Sequence, residues 1–267
     1  MTLWALALTI ASVPAVVLPS PPAAAAAQLD PVTALRRRLT SDDGVTFSNV
    51  MVSRSGGKPM TFRESGVHEL AQGKIVASEI VRPKDFMFGK YRQRLILFPN
   101  RVYEQSAGLR KYLPQGKSWV VSEEKQSLAL VCGQMRLSVP GTLKALLAAT
   151  EVKRPSGVYD GTRTTLYEGS ITLGELAKAD PDLRIGVNHR PTGKYARVRI
   201  DWQLWIGQDQ LIRRCHSDSR QPGIPKLSDK PIHYVNDIRL SRWGRPIDIQ
   251  APPTDQVATY DELNIPE

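Results

Sequence analysis

Residues 196–206 read ARVRIDWQLWI. In an extended chain Val198, Ile200, Trp202 and Leu204 fall on one side, and Arg197, Arg199, Asp201 and Gln203 on the other. A period of two with one apolar side makes a half-buried β-strand. Trp205 has the opposite parity to Trp202, so the two indoles should face opposite sides of the sheet. Gly207, Gln208 and Asp209 turn the chain into a second strand, residues 210–217. Upstream, residues 157–169 (GVYDGTRTTLYEG) form a hairpin with Asp160-Gly161 as its turn. Downstream, a polar loop over 218–230 with Pro222, Gly223 and Pro225 leads into a strand at 232–240 and an extended, Pro-rich tail at 246–263.

The same pattern runs back toward the N-terminus. Residues 44–52 alternate, with Val45, Phe47, Asn49 and Met51 on one side. Ser55-Gly56-Gly57-Lys58 turns into residues 60–70, and residues 71–74 turn into 75–81. Residues 94–98 (RLILF) and 102–105 add two short strands around Pro99-Asn100. Strands this closely spaced, joined by glycine-containing turns, predict an antiparallel up-and-down meander rather than βαβ units. Three segments break the period. Residues 30–39 (DPVTALRRRL) carry a capping Asp30, a first-turn Pro31 and an apolar stripe of Val32, Leu35 and Leu39. Residues 140–150 (PGTLKALLAAT) and 170–179 (SITLGELAKA) place Leu143, Leu146, Leu147, Leu173 and Leu176 at helical spacing. Residues 180–194 read as a polar loop.

The expected fold is therefore α+β and mainly antiparallel β. Such a meander has two faces, and short helices cannot cover a wide one. It must curl, pack its helices inside the curve, or hold an apolar ligand.

The chain has 267 residues, 41% of them hydrophobic, and two cysteines. That supports one sizeable core and excludes a disulfide-dense mini-scaffold. No interdomain linker is visible, so residues 28–267 read as a single domain. Residues 3–18 are almost wholly apolar and uncharged, and Ala23–Ala27 follow two prolines. This is the layout of a secretory signal peptide over residues 1–27, although no Lys or Arg precedes the apolar run. There is no cysteine near the alanines for lipid attachment. The expected location is extracytoplasmic, secreted or bound to the cell envelope.

The formal net charge is +10. Residues 28–120 hold 16 basic and 8 acidic side chains, and residues 121–267 hold 20 and 18. An exported basic protein meets lipid head groups and cell-wall polymers rather than nucleic acid. Peripheral contact with an anionic membrane surface follows as an expectation, with solvated surface arginine as the plain reading. Cys132 and Cys215 either pair in an oxidising compartment or remain two buried free thiols.

Four segments resemble the exported LolA-like and LppX/LprG-like lipid-carrier proteins of actinobacteria, which are related to the N-terminal domain of RseB. They are residues 101–121, with Gly116, Lys117 and Trp119; residues 157–173, with Asp160, Gly161, Thr164, Tyr167, Gly169, Ile171 and Leu173; residues 205–215 (WIGQDQLIRRC); and residues 241–263. The segments stand in the family's order. The resemblance implies a strongly curved half-barrel sheet with short helices plugging its concave side. It also implies binding of a lipid or lipid-linked molecule between sheet and helices. The usual N-terminal lipid-anchor cysteine of the LppX/LprG-like proteins is missing here.

No G-x-S-x-G, H-E-x-x-H, P-loop, G-x-G-x-x-G or paired metal-ligand motif occurs. The four histidines, His68, His189, His216 and His233, read as surface residues, and Asp42-Asp43 as loop chemistry. The chain is expected not to be an enzyme, to need no cofactor or metal, and to be monomeric. Its expected role is to bind an apolar ligand, with transport across the envelope as the carrier form. The alternative is an RseB-like sensor or interaction module that binds another envelope protein. The candidate pocket residues are Phe47, Ile75, Leu95, Leu97, Leu143, Leu146, Leu147, Leu173, Leu176, Val198, Ile200 and Trp202. The same set would also describe a filled core.

Overall fold

A computed structural model describes residues 29–84, 91–185, 189–223 and 230–265. The leader expected over residues 1–27 lies outside the described residues. Helix α1 (Pro31–Leu39) starts where expected, with the Asp30 carboxylate accepting from the backbone N–H groups of Val32 and Thr33. Strands β1 (Asp43–Arg54), β2 (Met60–Ala71), β3 (Lys74–Arg82), β4 (Gln93–Phe98) and β5 (Arg101–Ser106) follow. A single helical turn, α2 (Ala107–Arg110), leads to β6 (Trp119–Ser122). A small hairpin, β7 (Val131–Cys132) and β8 (Met135–Arg136), precedes α3 (Pro140–Ala148). Next come β9 (Thr150–Tyr159), β10 (Thr162–Thr172), α4 (Leu173–Ala179) and the turn α5 (Gly193–Ala196). The chain ends with β11 (Arg199–Gly207), β12 (Ile212–Gln221), β13 (Ile232–Arg245) and β14 (Val257–Thr259).

Twelve of these strands form one open sheet in the order β14-β6-β5-β4-β3-β2-β1-β13-β12-β11-β10-β9. The fold is mainly antiparallel β, a large curved sheet with short helices against it. A sheet of this width cannot stay flat, because each strand is twisted relative to the next. The meander holds within each half and breaks at the centre. There β1 pairs antiparallel with β13, with Phe47 opposite Leu240 and Asn49 opposite Ile238. The fold is mainly antiparallel as expected, with one parallel pair at an edge, where β14 from the tail runs beside β6.

Element bounds differ from the sequence reading in ways that local chemistry explains. Asp160 (φ 49°) and Gly161 (φ 72°) make the hairpin turn, as expected. The flanking strands run further than residues 157–169, however, because β10 keeps its ladder to β11 as far as Thr172. Helix α4 therefore begins at Leu173 rather than residue 170. Thr172 and Glu175 cap it reciprocally. Strand β12 likewise runs to Gln221, into the expected loop.

Two cores result, one on each face. The concave core gathers Leu35 and Leu39 from α1, Leu143 and Leu146 from α3, and Leu173 and Leu176 from α4. They pack on Val45, Phe47, Ile200, Trp202, Leu204, Ile238 and Leu240 of the sheet. On the convex face Ala77, Ile96, Tyr103 and Trp119 are covered by the tail through Ile249, with Ile247 and Val257 beside it. The Ile249 N–H donates to Glu69 Oε2 at 2.9 Å, pinning the tail. The two indoles part as their parity requires. Trp202 is in the concave core, while Trp205 stacks with Arg214 at 4.5 Å and donates to Ser156 Oγ at 3.1 Å.

His68 corrects the surface reading of the histidines. It is 5% exposed, stacked on Phe47 with ring centroids 4.5 Å apart, and hydrogen-bonded to Ser78 Oγ at 2.7 Å. Its strand alternates polar and apolar weakly, so the face it shares with Leu70 was not apparent. Burial lowers its pKa to about 3. An unfolded histidine titrates at about 6.5, so below that pH the unfolded chain binds a proton that the folded chain refuses. Stability is therefore lost as pH falls from about 6.5 toward 3. Urea unfolding at about pH 7.5 and about pH 5 should show the wild type losing on the order of 2 kcal/mol through this group. His68→Gln should remove that part of the slope, and identical slopes in the two proteins would count against it.

Candidate functional site

Strand register defines where the concave core stops. Beyond Phe47 on β1 come Asn49 and then Met51; beyond Ile238 on β13 come Asn236 and then Tyr234. Asn236 Nδ2 donates to Asn49 Oδ1 at 3.0 Å, Asn49 Nδ2 to Glu64 Oε1 at 3.3 Å, and Arg82 Nε to Glu64 Oε2 at 3.3 Å. Ser217 of β12 lies directly opposite Asn236. A polar row thus crosses the concave face from β12 to β3. On one side of it the face is packed by α1, α3 and α4. On the other side α1, α3 and α4 no longer reach, and a large cavity opens.

This cavity has a volume of about 1160 Å³. Its floor is the sheet itself: Met51, Gln221, Ile232 and Tyr234. One wall is the segment around β7 and β8, with Val131, Gly133 and Gln134. The other wall is the loop after α4, with Leu183, Ile185 and Tyr195. Its size suits a lipid-like or drug-sized ligand, and its floor and inner walls are largely apolar. Burial pushes the Tyr234 phenol pKa up, so that ring stays neutral. Gln134 Oε1 and Gln221 Nε2 are buried in the lining without a hydrogen-bond partner among the described residues. They are the polar contacts the lining can offer a guest.

The β7–β8 wall is held by a disulfide and an ion pair. Cys132 and Cys215 are joined in a disulfide, with Cα atoms 6.3 Å apart, fixing the hairpin to β12. Arg136 forks onto Asp180 at 2.9 and 3.1 Å and reaches Ser127 Oγ at 2.9 Å. Gly133 turns the hairpin at φ 62°, and a Cβ there would stand 2.7 Å from Ser217 Oγ. Only glycine accepts both the left-handed backbone and that approach. Across the cavity, the Tyr195 hydroxyl donates to the Gly223 carbonyl at 3.1 Å.

The twelve candidate residues are distributed unevenly. Phe47, Ile75, Leu143, Leu146, Leu173, Leu176, Val198, Ile200 and Trp202 sit together in the concave core, with Leu147 half-buried against it. Leu95 is buried and Leu97 half-buried on the same face of β4, outside that cluster. None of the twelve lines the large cavity. The residues that do line it were missed. Met51 and Ile232 carried a signal, because they continue the apolar parity of Phe47 and of strand 232–240. Val131 and Ile185 stood in segments with no period. Cys132 and Cys215 are the two candidates whose pairing the structure brings about. Among the described residues no group of three or more His, Cys, Asp or Glu is placed to hold a metal ion.

No family model matches the chain, and no curated protein matches it. Among solved structures, LprF from Mycobacterium bovis is similar over 83% of this chain and 95% of that one, at 15% identity and a TM-score of 0.45. A LolA superfamily protein from Nitrosomonas europaea is similar over 82% and 93%, at 10% identity and a TM-score of 0.29. The Pseudomonas aeruginosa MucA/MucB complex is similar over 87% of this chain and 62% of that one, at 13% identity and a TM-score of 0.29.

Replacing both Cys132 and Cys215 by Ser should cost about 2–5 kcal/mol of stability. It should also release the wall they anchor. Hydrogen exchange should rise in residues 127–137 and on β12 and stay unchanged on β3 to β5. An unchanged rate in residues 127–137 would show that Arg136 and the core contacts hold the wall alone.

Proposed function

We propose that this chain is an exported, non-enzymatic binder of a lipid or lipid-linked molecule, held between the curved sheet and the elements facing it. The carrying observation is the cavity of about 1160 Å³ whose floor is bare sheet. Apolar residues at Met51, Ile232, Tyr234 and Val131 face that space rather than a packed helix. Filling it with an acyl chain would remove their surface from water at about 25 cal/mol per Å². The apolar leader over residues 1–27 and the Cys132–Cys215 pairing support an oxidising, extracytoplasmic location. Of the twelve candidates, the nine in the concave core and Leu147 beside them keep a part in this reading as the packed scaffold that holds the floor in place.

The basic first half of the chain supports peripheral contact with an anionic membrane surface. Arg92, Arg94, Arg110 and Lys117 line a polar cleft of about 670 Å³, with Glu79 engaging Arg94 at 2.8 Å. Carriage of the ligand between membranes is the form of the function that this cleft favours. A second reading, an interaction module for another envelope protein, is favoured by β9. Most of that edge strand is exposed, including Val152 and Val158, and among the described residues no strand lies on its outer side. A stoichiometric protein partner pulled from envelope extract, without lipid, would favour the module.

Native mass spectrometry of the protein purified from its own envelope should show a bound lipid, and delipidated protein should take up a fluorescent acyl probe. Val131 is 39% exposed on the cavity wall, so Val131→Glu should leave the melting temperature unchanged. A charge there should weaken probe uptake by about tenfold, because the carboxylate would be desolvated against the acyl chain. Undiminished uptake by Val131→Glu would place the probe elsewhere.

A further inference from the structure

The cavity is apolar at its floor and cationic at its mouth. Arg184 and Arg190 both line it and are both exposed. Arg184 Nη1 donates to the Pro181 and Leu183 carbonyls at 2.8 and 2.9 Å, and Arg190 Nη2 donates to the Ala177 carbonyl at 3.4 Å. Carbonyls orient a guanidinium without neutralising it. Among the described residues neither arginine has a carboxylate partner. The third arginine in the lining, Arg136, is neutralised by Asp180. Among the described residues Asp182 is the one carboxylate that lines the cavity, so two arginines face one acid there. His189 stands between the two arginines in the lining, its backbone bonded in both directions to Ile185 at 2.7 and 3.1 Å. The loop thereby presents Arg184 and Arg190 from one small ladder, on the same side of the opening.

We propose that the ligand is an anionic amphiphile whose phosphate-type head group is bound by Arg184 and Arg190 while its acyl part lies over Met51, Ile232 and Tyr234. This rests on the lipid-binding reading and narrows it. Guanidinium groups suit the choice because each presents a planar fork of donors that matches two phosphate oxygens. Each arginine has donors left over after its carbonyl contacts. The dry floor beside them lowers the local dielectric, which strengthens the attraction relative to an arginine in open water. A neutral amphiphile of the same chain length would gain the floor and leave the excess positive charge uncompensated.

The test compares three probes on delipidated full-length protein at fixed ionic strength: dioleoyl phosphatidic acid, dioleoylglycerol and inorganic phosphate. Phosphatidic acid should bind at least about tenfold more tightly than dioleoylglycerol, the scale of one charge-assisted contact. Arg184→Gln with Arg190→Gln should abolish that preference and leave dioleoylglycerol uptake unchanged. Arg184→Lys with Arg190→Lys keeps the charge and loses the fork, and should retain part of the preference. It also serves if the glutamine variant fails to fold. Inorganic phosphate should bind weakly and compete only with phosphatidic acid. Equal affinity for both lipids in the wild type, or a preference that survives the glutamine variant, overturns the head-group assignment and leaves lipid binding standing. Uptake of neither lipid, with or without phosphate binding, overturns both.

Discussion

The pairing of β1 with β13 joins two meanders into one sheet, and the rest of the molecule follows from it. Each half alone could have been covered by the helices or the tail at hand. Joined, they present a continuous concave face across twelve strands. Among the described residues, α1, α3 and α4 are the helices that pack into the core on that face, and they are nine, nine and seven residues long. A nine-residue helix spans only about 14 Å. The helices bury one end of the face and leave the other to the β7–β8 wall and the loop after α4. The cavity is the difference between what the sheet presents and what the helices cover.

The polar row from Asn236 through Asn49 to Glu64 and Arg82 fits this division. The buried Asn236 amide has its Nδ2 satisfied by Asn49 while its Oδ1 has no partner among the described residues, and removing Asn49 would strand the Nδ2 as well at a cost of about 1–3 kcal/mol. Placed at the limit of helix coverage, the row keeps the packed side and the open side distinct. It also ties β13 to β1 by side chains at the joint where their backbones pair. The disulfide lies on the packed side of the row, since Cys215 stands opposite Ile238 and both cysteines belong to the concave core. It fastens the β7–β8 wall to β12 alongside the buried apolar contacts of Leu130, Met135 and Leu137.

Much of this was legible in the residues, and the illegible parts share a cause. Strand β11 and the Asp160-Gly161 turn were readable because period and turn chemistry are local. So was helix α1, from its Asp30 cap and Pro31. The β1–β13 pairing was not, because it joins residues nearly two hundred positions apart; Asn49 and Asn236 are separated by 187. The tail looked merely extended and Pro-rich, yet it covers the convex core and adds a parallel strand. For the site, Phe47 and Met51 share one strand face and look alike in the sequence. Whether a helix stands above each depends on where α1, α3 and α4 end in space. A filled core and a hollow one therefore have the same apolar pattern, and ten of the twelve candidates settled in or against the filled part.

The central claim is that the guest occupies the open side of the polar row. Photo-crosslinking with a diazirine-labelled fatty acyl probe, followed by peptide mapping, tests it most directly. Adducts should fall on Met51, Val131, Ile185, Ile232 and Tyr234. Adducts concentrated on Leu143, Leu146, Leu173 or Trp202 would mean that the helices part to admit the ligand, and would contradict the division at the polar row.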